Sequence, residues 1–357
     1  MIGPRLKLAR EAAGLSLRDL ESAVNRLVSA QAIGKYERNE MMPGSSVLLA
    51  LAAALRVSPE YLLSTREIEL VGVEFRKETN AGAKEEKTVH AQVIDHVERY
   101  LRLEELLHLP SATWHAPKGK GFEVASVQDA ERAANELRSH WKLGLDPIPN
   151  LVEFLEEKSI KVIARELPPP VFGSKAWVRR KDLDDVAVIL VNNAHNGERQ
   201  RLTLAHELAH LVMKVDAKVT EIEEEKCATR FAGAFLVPDR TLVEKVGQHR
   251  RSLTLGELVE LKRYFMVSLQ VLVVRCAQLE IISRAEYRRA WDMLKAHRFL
   301  EAPWPEPAPI EPEVPRRLER LCYRAVAEGA LSESKAAELL QIPVRVLDRR
   351  LQDGPVD

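Results

Sequence analysis

The sequence predicts a mostly helical α+β protein with an all-α N-terminal domain, a middle domain with a small sheet, and a helical tail. Three observations predict this class. Apolar residues recur at helical spacing through residues 1–66, and again after residue 126. Runs typical of strands occur between residues 68 and 191. A Pro-rich stretch then separates the tail.

The length of 357 residues exceeds that of one ordinary domain. We expect an all-helical domain at 1–66, a connector at 67–125, a mixed helix-and-strand domain at 126–300 and a linker with tail at 301–357. Lys plus Arg and Asp plus Glu both number 53, so any DNA-binding surface must be local. Aromatic residues make up 5%, which argues against a stacking platform for single strands.

The chain shows no sign of a membrane or secretory address. No apolar run approaches the roughly 20 residues of a membrane span, and the first residues lack an apolar signal core. Cys227, Cys276 and Cys322 lie far apart and are odd in number, which is typical of reduced thiols. We therefore expect a cytoplasmic protein without a membrane partner.

Five short helices are predicted in the N-terminal segment. Gly14 ends the first, and Ser16 and Ser29 are good N-caps for the second and third. The predicted ranges are Arg5–Ala13, Leu17–Val24, Ala30–Arg38, Val47–Leu55 and Pro59–Leu63. Two short helices joined by a tight turn are the helix-turn-helix plan, in which the second helix enters the major groove of DNA.

The candidate DNA contacts lie at the start of this second helix and beside it. Gln31 is suited to an adenine edge and Lys35 to a guanine or a phosphate, whereas Arg18 and Arg38 are suited to phosphates. The full candidate set is Arg18, Ser29, Ala30, Gln31, Gly34, Lys35 and Arg38. Residues 1–66 carry nine Lys and Arg against six Asp and Glu. The alternative is a small helical module that binds another protein.

The stretch LSLRDLESAV, followed by SAQAIGKYERNEMMPGSSVLLALAAALRVSPEYLL, resembles the Xre/Cro-type repressors. The resemblance covers nearly all of the segment and implies a lambda-repressor-like fold that binds double-stranded DNA. It departs from the family at the turn Asn25–Val28 and at Asn39 and Glu40, where Gly is common, which affects the register of the recognition helix by a residue. If the DNA sites are two-fold symmetric, the protein would bind them as a homodimer.

The connector contains one strand-like run, at Ile68–Phe75, and one strongly amphipathic helix, at His90–Leu109. This helix either carries orientation between domains, dimerises, or packs on its own chain. Polar residues 78–87 and the Gly- and Pro-containing residues 111–122 are predicted as loops.

The middle domain alternates helices and strands before its central helix. Ser126 caps a helix to Lys142, and Asp146-Pro147 opens another to about Lys158. Strands are predicted at Lys161–Arg165, Gly173–Val178 and Val186–Val191, a turn at Asn192–Gly197, and closing helices at Leu253–Val274 and Ser283–Phe299. An edge strand beside the central helix could pair with an extended peptide.

The central helix holds a His-Glu-x-x-His motif formed by His206, Glu207 and His210. Residues four apart point the same way on a helix, so the two imidazoles can bind one Zn²⁺. Glu207 can reach a water on the metal, whose pKa zinc lowers to about 7, and can pass its proton to a leaving amine. The alternative is a surface helix with two unrelated histidines.

A catalytic zinc needs a third protein ligand. Glu225 lies on the apolar face of the next predicted helix, where an acidic residue needs a partner. Glu221, one turn earlier, is the alternate, and Glu223 and Glu224 are expected to point toward solvent. Cys227 is predicted to be a core cysteine.

The sequence GERQRLTLAHELAHLVM, followed by EKCATRFAGAFLVP, resembles the ImmA/IrrE family of metallo-endopeptidases over about residues 120–300. The resemblance implies a zincin-like domain, with Zn²⁺ held by His206, His210 and Glu225. It also implies cleavage of a protein, such as a repressor, in phage, mobile-element or stress regulation. Thr229 stands where the family more often has Asn, which bears on the support of the ligands.

Two functions follow. One is a zinc endopeptidase attached to a DNA-binding domain, with a protein substrate. The other is a non-proteolytic repressor or antitoxin-like regulator whose metal domain senses a ligand or binds a partner.

In the tail, the spacing of residues over Ser332–Leu351 repeats that of a helix-turn-helix. This pattern indicates either a second DNA-binding element or a small element for packing or dimerisation.

Overall fold

The computed structural model describes residues 2–63, 68–72, 83–110, 121–167, 171–180, 183–302 and 305–353. The chain divides into two compact units. The first unit contains Met1–Thr113, Ala176–Val186 and Arg316–Asp357, and the second contains Trp114–Lys175 and Ala187–Pro315. Over the described ranges, no helix combines the length and the apolar character needed to cross a membrane.

The secondary structure confirms a mostly helical α+β chain. In the described residues the helices are α1 (Gly3–Ala12), α2 (Leu17–Ala23), α3 (Ala30–Glu37), α4 (Ser45–Leu55), α5 (Pro59–Leu63), α6 (Ala83–Leu106), α7 (Val127–His140), α8 (Leu151–Glu157), α9 (Gly197–Val212), α10 (Glu221–Leu236), α11 (Asp239–Val246), α12 (Leu255–Phe265), α13 (Leu269–Gln278), α14 (Arg284–Ala296), α15 (Arg317–Ala327), α16 (Glu333–Leu340) and α17 (Val344–Asp353). The strands are β1 (Ile68–Val71), β2 (Phe122–Val124), β3 (Lys161–Arg165), β4 (Gly173–Arg180), β5 (Leu183–Asn192) and β6 (Met213–Val215).

The five N-terminal helices form as predicted because their caps are encoded locally. Ser16 and Asp19 make a reciprocal capping box at the start of α2. The Ser29 hydroxyl accepts the Ala32 N–H at the start of α3. The helices enclose their own core, in which Leu6, Leu20, Ile33 and Leu51 are fully buried.

The connector helix α6 packs on its own chain within the first unit. On one part of the helix, the Gln92 amide donates to the Ala12 carbonyl at 3.0 Å and Glu98 pairs with Arg5. On another part, Tyr100 and Leu103 share a core with the helices of the tail. The predicted strand residues 73–75 and loop residues 78–82 and 111–120 lie outside the described ones.

A four-stranded sheet has the order β1-β4-β5-β3. In the first unit, β1 is antiparallel to the end of β4, with Leu70 opposite Val178. In the second unit, β3 is parallel to β5, with Ile163 opposite Leu190. Strands β2 and β6 form a separate parallel pair. This pair was not predicted because three-residue strands carry too little periodicity.

Two helix predictions in the second unit are wrong. Asp146-Pro147 does not open a helix, because α8 begins at Leu151 with Asn150 as its cap. The single helix predicted over Leu253–Val274 is two helices. Met266 ends α12 in the left-handed conformation, with φ 54°, and Ser268 caps α13. A cap two residues past a left-handed residue starts a new helix even where the apolar pattern continues.

Candidate metal centre

The helix that carries the His-Glu-x-x-His motif, α9, is fixed in place at its first turn. Asn196 caps it by accepting the Arg199 N–H. The Gly197 N–H donates to the Ile310 carbonyl at 3.2 Å. A Cβ atom on Gly197 would lie 2.4 Å from that carbonyl oxygen. Glycine is therefore required for this close approach of the chain.

Buried charges tie the same turn to the Pro-rich segment. Lys262 is fully buried and donates to both Glu198 and Glu306. Arg201, also buried, pairs with Glu313 and donates to the Ile148 carbonyl. Residues 305–313 therefore pack within the second unit through acidic side chains, whereas composition alone indicated a stiff linker.

The helix that carries Glu225, α10, is held at both ends. Thr220 and Glu223 form a capping box at its start. At its end, the Phe235 carbonyl accepts a hydrogen bond from Arg138 at 2.7 Å. The Val237 carbonyl, just beyond, accepts one from Arg275. These bonds satisfy carbonyl groups that a buried helix end otherwise leaves unpaired.

Three candidate ligand atoms meet where α9 crosses α10. His206 Nε2 lies 3.1 Å from Glu225 Oε2 and 3.2 Å from His210 Nε2. His210 Nε2 lies 3.6 Å from Glu225 Oε1. Ligand atoms bound tetrahedrally to zinc at 2.0–2.1 Å stand about 3.3 Å apart. Across the described ranges, this is the one group of three or more His, Cys, Asp and Glu residues close enough to share a metal ion.

The second nitrogen of each imidazole also has a neighbour. His210 Nδ1 lies 3.2 Å from Glu224 Oε1, and His206 Nδ1 lies 3.5 Å from the Thr229 hydroxyl. A proton on Nδ1 of His210, donated to the carboxylate, leaves the Nε2 lone pair directed at the site. Glu224 therefore contacts the site through His210, while its side chain stays 35% exposed.

Glu207 stands beside this cluster on α9 and is half-buried. Burial raises the pKa of its carboxyl above the ordinary value, while the charge of His206 and the backbone N–H of Lys175 oppose that rise. The Lys175 contact brings the first residues of β4 to the motif helix. The contact of Lys175 with Glu207 was not evident from the sequence.

Gly173, at the start of β4, explains how the strand approaches so closely. A Cβ atom there would lie 2.5 Å from the Thr203 methyl and 2.7 Å from the Leu190 carbonyl oxygen. It would also lie 3.5 Å from Glu207 Cγ. Any larger residue must therefore displace the strand or the motif helix.

The remaining metal-site candidates lie away from the three atoms. Glu221 is exposed in the first turn of α10. Cys227 is a buried free cysteine, and neither residue belongs to the group of potential ligands found in the described chain.

The DNA candidates of the first unit differ in exposure. Arg18, Ser29, Gln31, Lys35 and Arg38 are exposed, and Ala30 is half-buried. Gly34 is buried, and a Cβ atom there would meet Leu17 Cδ1 at 3.5 Å, so its place is in the packing of α3 on α2. Arg38 forms an exposed ion pair with Glu40 at 2.6 Å, for which a phosphate would compete.

Comparison with known families bears on both regions. Residues 155–277 match the peptidase family model described as IrrE N-terminal-like domain. Residues 6–62 match the model described as Helix-turn-helix. The resemblances predicted for these two regions are confirmed. The first match contains α9 and α10 entire, and the second contains α2 and α3. No curated protein matches the chain significantly.

Proposed function

We propose that this chain is a cytoplasmic, DNA-binding transcriptional regulator whose second unit is a zinc-dependent endopeptidase. Its substrate is a regulatory protein, such as a repressor, in a stress, phage or mobile-element response. The observation that carries the proposal is the convergence of His206, His210 and Glu225 with Glu207 beside them. Double-stranded DNA is the partner of the first unit, which we propose binds as a homodimer.

The donor set fits a catalytic zinc ion. Two imidazoles and one carboxylate provide three ligands and leave a fourth position for water or substrate. The spacing of 3.1–3.6 Å between donor atoms suits tetrahedral bonding. When bound, zinc would lower the pKa of a water to about 7 and polarise the scissile carbonyl.

Glu207 then acts as the proton carrier. Its carboxylate takes a proton from the attacking water and delivers it to the amine that leaves. The Lys175 N–H orients the carboxylate throughout.

The start of β4 supports a protein substrate. β1 pairs with Trp177–Arg180 of β4, and the first residues of β4, Gly173–Lys175, lie beside Glu207. An extended peptide can add to such a strand segment through backbone hydrogen bonds. Its carbonyl would then lie next to Glu207 and the three ligands.

The alternative is a regulator whose metal domain only senses or binds a partner. Such a domain needs the ligands but not the general base. Glu207→Gln separates the two, because it keeps the shape of the side chain and removes the base. Glu244→Gln, an exposed position in α11, is the matched control.

The experiment compares new protein N-termini in cells that carry wild type, Glu207→Gln, His206→Ala or Glu244→Gln. We expect at least one cleavage product that is present with wild type and Glu244→Gln and absent with the other two. Loss of a general base lowers the rate by about 10²–10⁴-fold. Purified Glu207→Gln should still retain zinc. Cleavage products and cellular phenotypes that do not change in Glu207→Gln would leave the sensor as the function.

A further inference from the structure

The tail contains a second pair of short helices built like α2 and α3. Ser332 caps α16 by accepting the Lys335 N–H. Gln341 ends it in the left-handed conformation, with φ 55°. Ile342 and Pro343 complete a three-residue turn before α17 begins at Val344. A tight turn of this length between two short helices is the helix-turn-helix plan.

The packing of these helices determines which side of α17 is free. Ala336, Ala337 and Leu339 of α16 are buried with Leu347 of α17, and Ile342 packs against them. Small alanine side chains let the two helices approach closely. Helix α15 and part of α6 complete this core, so the opposite face of α17 points outward.

That outward face carries two arginines, Arg345 and Arg349, and one carboxylate at its end, Asp353. Arg345 and Arg349 are exposed and lie one helical turn apart, on one side of α17. Within the described ranges, neither guanidinium has a carboxylate at ion-pairing distance. The Asp348 carboxylate between them has its Oδ1 atom buried. Arg350, in contrast, is paired with Glu319 at 2.6 Å.

We propose that α17 is a second DNA-contacting helix, which places Arg345 and Arg349 on the phosphates of a double-stranded DNA. A helix of this kind presents its first turns to the major groove, and Arg345 and Arg349 lie in those turns. The other exposed side chains of α17 are Val344, Leu351, Gln352 and Asp353, of which the Gln352 amide is suited to a base edge. The inference needs no peptidase activity.

The test uses the full chain, because Leu347 and Ala336 share a core with α6 and a truncation would expose that core. Binding to a random-sequence duplex is measured across a salt series for wild type and Arg345→Ala/Arg349→Ala. Each lost phosphate contact lowers the slope of log affinity against log salt by about 0.9. We expect a slope smaller by about 2 and affinity lower by about tenfold.

The matched control is Arg284→Ala/Arg288→Ala. These arginines are also exposed and four apart, but they lie on α14 of the second unit. We expect this variant to bind as wild type does. Arg345→Lys/Arg349→Lys should restore most of the salt slope, because phosphate contacts depend chiefly on charge. Circular dichroism and light scattering verify fold and mass for every variant.

Gln31→Ala/Lys35→Ala distinguishes the tail from the N-terminal reader. If only this variant weakens binding, α17 does not contact DNA and the proposal is overturned. The proposal is also overturned if Arg345→Ala/Arg349→Ala changes only the oligomeric mass and not DNA binding, because α17 would then be a dimerisation surface. If the wild-type protein does not bind the duplex, DNA contact by both α17 and the N-terminal helix-turn-helix is overturned. Weakening by each variant separately supports two contacts on one duplex.

Discussion

The metal centre and the N-terminal helix-turn-helix are both built on capped helices, yet they depend on different levels of structure. The centre needs atoms from α9 and α10 within 3.6 Å of each other. Buried ion pairs hold α9, and a capping box with arginine–carbonyl hydrogen bonds holds α10. The reader needs Gln31 and Lys35 on one exposed helix face, which the local sequence already provides. Substitutions at the metal centre should therefore have large effects on metal binding or stability, and substitutions on the exposed face of α3 should have graded effects on DNA binding.

The largest expected effect is on the ligands themselves. His206→Ala removes one of three donors, so zinc affinity should fall by more than the 10–100-fold that loss of an outer-shell partner costs. Competition with a chelator, followed by elemental analysis, measures it. His249→Ala, an exposed histidine of the same unit, should retain zinc like wild type. Equal zinc in both variants would contradict the ligand assignment.

The next effect concerns the anchors of the motif helix. Lys262→Met leaves Glu198 and Glu306 as two buried carboxylates without their cation. Breaking a buried pair in this way costs about 3–5 kcal/mol in the free energy of unfolding. Urea unfolding measures the loss. The neighbouring Arg263 is an exposed partner of Glu260, so Arg263→Met should change stability by less than about 0.5 kcal/mol. Similar losses for both would show that the buried cluster is not an anchor.

The metal centre and the N-terminal helix-turn-helix also differ in how much of their structure the sequence predicts. The caps Ser16 and Ser29 gave the bounds of α2 and α3 to within one residue, because capping is a local interaction. His206 and His210 follow from helical spacing for the same reason. The crossing of α9 over α10 is a tertiary feature, so the contact of Glu224 with His210 left no local signal.

Composition gave an incomplete expectation where charged residues that are distant in the sequence form ion pairs. Prolines in residues 301–315 indicated a spacer, yet Lys262 binds Glu306 and Arg201 binds Glu313 across 44 and 112 residues. Gly173 likewise looks ordinary in the sequence. Its requirement appears only when Thr203 and the Leu190 carbonyl are seen to close around it. Pairings at such separations cannot be read from periodicity.

The smallest predicted effect tests whether support of the ligands extends beyond the three donor atoms. Glu224→Ala removes the carboxylate that faces His210 Nδ1, so the imidazole loses the partner that fixes its tautomer and orientation. Such a change costs about 10–100-fold in metal affinity, measured by the same chelator competition. Glu221→Ala, exposed in the first turn of the same helix, removes an equal charge and should leave the affinity unchanged. Glu224→Gln keeps an oxygen acceptor and should lie between them. If Glu224→Ala and Glu221→Ala weaken zinc equally, the carboxylate acts through general charge rather than through His210.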